Sequence, residues 1–178
     1  MTYSLISLVA LSSLSALAPS NADWTRSTYL VPVTDTQSIE VEHVIAQNVS
    51  EDGTPLAGSV GFACAGQKLH VMFSYDDVEL DSAFKEAWTE RRAKQRVGTL
   101  SVDGESQRRG GFTEMRDTKL YMSMSPADKR SFYKSVVQAQ NVAVRLRGET
   151  IQLSMPAIND DFREFGAACG LGTLADDS

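Results

Sequence analysis

Only two cysteines, Cys64 and Cys169, and two histidines, His43 and His70, occur in the 178 residues of this chain. The cysteines form no Cys-x-x-Cys pair, and neither histidine has Cys, His, Asp or Glu neighbours at metal-ligand spacing. No H-E-x-x-H, no G-x-S-x-G and no phosphate-cradling glycine loop occurs either. The linear sequence therefore offers no catalytic residue, no metal ligand set and no cofactor motif. His70 lies between Leu69 and Val71 on an alternating stretch and reads as a surface or half-buried histidine. Aromatic residues interleaved with cations, as needed to stack bases, are missing, and a net charge of −6 gives no global pull toward nucleic acid or anionic lipid.

Charge is absent from the N-terminus as well. No charged side chain precedes Asp23, and the apolar run from Leu5 to Leu17 is too short to cross a bilayer, which needs roughly 20 apolar residues. With small residues at Ser20 and Ala22, residues 1–22 read as a signal peptide, although no Lys or Arg precedes the apolar run. No later stretch reaches membrane-spanning length, so no transmembrane segment is expected after signal removal. The chain then divides into a signal peptide (1–22), one exported α+β domain (23–170) and a flexible tail (171–178), working in the periplasm or outside the cell. In an oxidising compartment two cysteines most simply form one disulfide, Cys64 to Cys169.

What is present is a succession of short alternating runs. Residues 28–33 and 39–49 read as strands around Thr34-Asp35-Thr36. In "SVGFACAGQKLHVMFSY", Val60, Phe62 and Cys64 share one strand face, and Leu69, Val71, Phe73 and Tyr75 share a face of the return strand. From Leu80 the period becomes helical, with Leu80, Phe84, Ala87 and Trp88 as the stripe, and the segment toward Arg96 loses it. "VGTLSVDGE" returns to strand with a turn at Asp103-Gly104, "ESQRRGGF" reads as a polar loop, and "KLYMSM" as a strand with Leu120, Met122 and Met124 inward. "SPADKRSFYKSVVQAQ" carries a helix start, with Ser125 as N-cap, Pro126 at the first position and Asp128 three residues on. A hairpin about Gly148-Glu149 follows, its far face holding Arg145, Arg147, Gln152 and Ser154. Ile158, Phe162, Phe165 and Cys169 fall on one face of a closing helix. The fold class is α+β: a mostly antiparallel sheet with two or three packing helices, the last one tied to the sheet by the disulfide.

Acidic residues at Asp76, Asp77, Glu79 and Asp81 lack the spacing and glycine of a calcium loop and suit a helix N-terminus. Basic residues concentrate instead at Arg91, Arg92, Lys94, Arg96, Arg108 and Arg109, with Arg145 and Arg147 on the last hairpin. On an acidic chain this is a candidate contact surface for an acidic partner, set against the plain alternative of a solvated helix end and loop.

The order of these motifs from Gly58 to Gly170 resembles two kinds of small exported bacterial protein: the invasion-associated locus B family and the type VI secretion-associated VasI-like proteins. A cysteine strand before an aromatic strand ("GFACAGQKLHVMFSY") and a terminal "FGAACG" helix carry the likeness, and the cysteine placement is the VasI-like one. The resemblance implies an accessory protein of the cell envelope and transfers no active-site residue. The expectation is thus a non-enzymatic exported binding protein with an envelope or secreted protein as partner. The alternatives are an inhibitor or immunity protein for a secreted enzyme, or an envelope hydrolase using dispersed carboxylates.

Overall fold

A computed structural model describes residues 23–49, 55–66, 68–75, 80–123, 129–130, 132–134 and 141–172. The proposed signal peptide, the Ser125 cap, Met124, Val136, Val137 and the tail beyond residue 172 lie outside these residues. Among the described residues nine strands build one sheet: β1 (Trp24–Thr34), β2 (Gln37–Val49), β3 (Pro55–Ala65), β4 (Lys68–Ser74), β5 (Ala93–Val102), β6 (Glu105–Met115), β7 (Leu120–Ser123), β8 (Asn141–Leu146) and β9 (Glu149–Ser154). Their spatial order is β1-β2-β3-β4-β7-β6-β5-β8-β9, and every neighbouring pair is antiparallel. Helix α1 (Leu80–Ala87) links β4 to β5, residues 129–130 and 132–134 are helical, and α2 (Asp160–Ala168) closes the domain.

Alternation along the strands divides the apolar residues between two faces. The inner face carries Trp24, Val44, Val60, Phe62, Val71, Phe73, Val142, Val144 and Leu153 with Phe132, Tyr133, Phe162 and Phe165 from the helical segments. This core draws on both ends of the sheet because the sheet curls over it: the Tyr75 hydroxyl, just past β4, donates to the carbonyl of Val144 on β8, at 3.4 Å. Outward, a smaller cluster of Val31, Val41, Ile45, Ala63, Met72, Met115 and Leu120 is covered by Leu80, Ala83, Phe84 and Ala87 of α1.

The closing helix forms as its sequence indicates. Asn159 caps it by accepting from the Phe162 amide at 3.1 Å, and Asp160 and Asp161 place negative charge in the first turn. Its buried stripe is Phe162 and Phe165, and Cys169 follows at the C-cap, bonded to Cys64 on β3. The described part of the closing hairpin turns at Arg147-Gly148, one residue earlier than the sequence suggests, because Arg147 and Gly148 both take positive φ.

Two expectations are corrected. The helix begun at Leu80 ends at Ala87, just before the "ERRAKQR" segment where its apolar stripe is lost, but that segment does not continue as an exposed helix: "AKQRVGTLSV" is strand throughout. "ESQRRGGF" is likewise strand, within β6, rather than a polar loop. The reason is common to both. From Ala93↔Met115 to Leu100↔Arg108 the two segments form a backbone ladder at the rim of the sheet, where residues 93–95 and 97 are exposed and need no apolar alternation.

Candidate partner-binding surface

The structure does not gather the basic candidates into one patch. Arg92 holds Asp117 in a bidentate grip, with Nε at 2.9 Å from Oδ1, which pulls the Asp117 carboxyl below its ordinary range. Arg96 on β5 and Arg147 in the β8–β9 turn both reach Glu114 on β6, Arg147 at 3.5 Å and Arg96 more closely. The Arg96–Glu114 pair is half-buried, so it pins the β5–β6 rim and is less available to a partner. Arg91 and Lys94 are exposed. Lys94 registers with Glu114, and Arg108 with Leu100.

The remaining two candidates meet through strand register, although the sequence separates them widely. Arg109 pairs with Thr99, Thr99 pairs with Arg145, and Arg145 pairs with Thr150, so these positions form one cross-strand row over β6, β5, β8 and β9. The next row is Ser101, Ala143 and Gln152. Arg145 is exposed, and among the described residues it makes no ion pair. Val97, which shares its face of β5 with Thr99, is 61% exposed. Helix α1 covers only the β1–β4 and β7 side of the outer face, so none of Val97, Thr99, Ser101, Ala143, Arg145 and Thr150 is buried. This half of the sheet presents small and hydroxyl side chains around two arginine positions.

The histidines sit on the same outer face at the other end, under α1. His43 is fully buried and its Nε2 accepts a hydrogen bond from the Trp88 indole N–H at 2.9 Å. Tyr29 and Phe84 meet its ring edge-on. His70 is half-buried and meets Trp88 edge-on at 4.9 Å. Desolvation pushes both histidines down to about 4, with nearby positive charge adding to the effect. His43 and His70 flank Ala63 in register, and the Trp88 ring contacts both. They therefore act as partners of an indole rather than converging on one ligand. The sequence does not reveal this cluster, because Trp88 follows α1 and reaches back over three strands.

Carboxylates gather around Arg26. Its guanidinium binds Glu42 and Glu164, each at 2.9 Å, and its amide donates to Asp161 at 2.9 Å. This arrangement shares one positive charge between Glu42 and Glu164 and anchors α2 to β1. An open groove of about 270 Å³ lies between β1 and α1, lined by Leu30, Val31, Pro32, Ser82, Lys85, Glu86 and Thr89.

Comparison with family models, curated proteins and solved structures returned no match. The class that the structure itself defines is an antiparallel α+β domain with one long-range disulfide, and no helix among its described residues is long and apolar enough to cross a membrane.

Proposed function

We propose that this chain is an exported, non-enzymatic accessory protein of the bacterial cell envelope. In this reading it binds an acidic protein partner through the open outer face of β5, β6, β8 and β9. The observation that supports the reading most directly is the row Arg109·Thr99·Arg145·Thr150 on a sheet face that α1 leaves uncovered. Sheets that face water usually carry both signs of charge, whereas this row carries two arginine positions on a chain of net charge −6. Arg145, with no ion-pair partner among the described residues, retains its full field for a carboxylate in trans. The disulfide is compatible with export, since such bonds persist in oxidising compartments.

The test is in-cell crosslinking of a tagged, exported copy, with mass spectrometry of what co-purifies, repeated with Arg109→Glu/Arg145→Glu. The expected result is a saturable protein partner whose capture falls by about tenfold in the double variant, as loss of attraction and new repulsion combine. The melting temperature of the Arg145→Glu single variant should not change, because Arg145 is exposed. Recovery of the protein alone sinks the binding reading. Undiminished capture by the double variant moves the contact to another surface.

A further inference from the structure

The first strand is an edge of the sheet, and its two halves are treated differently. At the N-terminal half the outward backbone groups are occupied: the Trp24 carbonyl accepts from Asn159 Nδ2 at 2.7 Å, and the Arg26 amide donates to Asp161 at 2.9 Å. Both partners belong to the start of α2. These bonds fix which β1 residues turn their backbone away from β2, namely the even-numbered ones, since antiparallel pairs alternate. Pro32 obeys the same parity: it registers with Ser38 at a position where a missing N–H breaks no ladder bond.

Two outward donors remain between these stops, the amides of Thr28 and Leu30. Among the described residues neither has a hydrogen-bond acceptor, and both residues are exposed, Leu30 by 68%. No charged residue lies between Ser27 and Thr34. Natural edges are commonly guarded by a charge, a bulge or a covering element; here the cover stops at Arg26 and the next stop is Pro32.

We propose that this open window is a pairing site for a second copy of the chain, the two β1 strands joining antiparallel about a two-fold axis at Tyr29. In that register Thr28 exchanges both backbone bonds with Leu30 of the other copy, and the exchange repeats across the axis, giving four bonds. Arg26, whose amide is already bonded, then lies opposite Pro32, which has none. Shifting the axis to Thr28 or to Leu30 leaves a carbonyl of the window opposite a blocked position. Only the Tyr29 axis satisfies every donor and acceptor of Thr28 and Leu30. The match is self-complementary, as a closed two-fold interface requires. Charge permits it too: two molecules of net charge −6 meet along a stretch with no charge, and the groove beside it is bordered by Lys85 and Glu86, one of each sign. Pairing covers Leu30 and joins the two sheets into one.

The experiment is sedimentation equilibrium of the exported chain beginning at Asp23, with amide hydrogen exchange at several concentrations. A reversible dimer is expected, with the Thr28 and Leu30 amides gaining protection as the dimer fills. Thr28→Pro removes one outward donor without touching the β1–β2 ladder, and Leu30→Lys places a charge in the window. Each should weaken dimerisation by at least about tenfold. Val97→Lys, an equally exposed site on β5, should not weaken it. A monomer whose Thr28 and Leu30 amides exchange fast at every concentration overturns the proposal, as does a dimer indifferent to both β1 variants. Protection that appears only when another envelope protein is added assigns the edge to a foreign strand and also overturns it. The exchange measurement uses the unaltered chain, so a misfolded variant leaves the proposal decidable.

Discussion

His43 shows how one residue couples sequence, packing and solution conditions. Its side chain is fully buried beside Tyr29, Phe84 and Trp88, and as acceptor from the Trp88 indole it must hold Nε2 unprotonated. Protonation would convert that nitrogen to a donor facing a donor. Charges of both signs surround this cluster: Lys68 and Lys129 act on His70, Lys85 lies over the Tyr29 ring, and Asp81 accepts from the Ser27 hydroxyl that is bonded to the Tyr29 hydroxyl. In the folded chain His43 titrates at about 4, against 6.5 in the unfolded chain. Above pH 6.5 neither state binds the proton and stability is level. As pH falls from 6.5 toward 4 the unfolded chain takes it up and the native one does not, so stability declines, by up to about 3 kcal/mol for this one group. His70 adds a smaller share because it is half-exposed. Urea unfolding across that window should show the decline, and His43→Gln, which keeps an acceptor for Trp88, should flatten it. An unchanged pH slope in the variant would mean that His43 is solvated in solution.

At the scale of elements, close approach of backbone to side chain decides which strand residues are possible. Gly61 lies on β3 directly beneath α1, and a Cβ there would stand 2.3 Å from Cε1 of Phe84. Phe84 is itself fully buried, so its ring has nowhere to retreat. Gly61→Ala should therefore cost about 1–3 kcal/mol by overpacking, read as a lower urea midpoint, with α1 displaced from the sheet. If the variant is as stable as the parent, α1 is packed more loosely than the structure shows. The hairpin of β3 and β4 and the stripe of α2 were legible because both bury apolar residues at the proper period. The β5–β6 ladder was not, since Lys94, Arg96, Arg108 and Arg109 sit in backbone pairs at a rim where periodicity carries no signal. Arg109 and Arg145 were each legible as cations, but their shared row exists only through the register at Thr99.

Across the whole molecule, the disulfide links elements that no local interaction could hold together. Cys64 and Cys169 are 105 residues apart, and both are buried at the edge of the inner core. Closing a loop of that length restricts the unfolded chain by about 4–5 kcal/mol in the chain-entropy account, with about 2–4 kcal/mol the usual measured range. The bond also has a local consequence. It fixes the C-terminal end of α2, while the N-terminal end of α2 supplies the Asn159 and Asp161 groups that seal Trp24 and Arg26 on the sheet edge. Loosening one end of a nine-residue helix should therefore unseal the other. Cys64→Ala/Cys169→Ala is expected to lose about 2–4 kcal/mol in urea unfolding. In its native state the Arg26 amide should also exchange faster than in the parent, whereas the Val44 amide, on a central strand with both neighbours paired, should keep its protection as long as the variant is folded. A loss of global stability with the Arg26 amide unchanged would show that the aromatic contacts of Phe162 with Trp24 and Tyr133 hold α2 in place without the covalent bond.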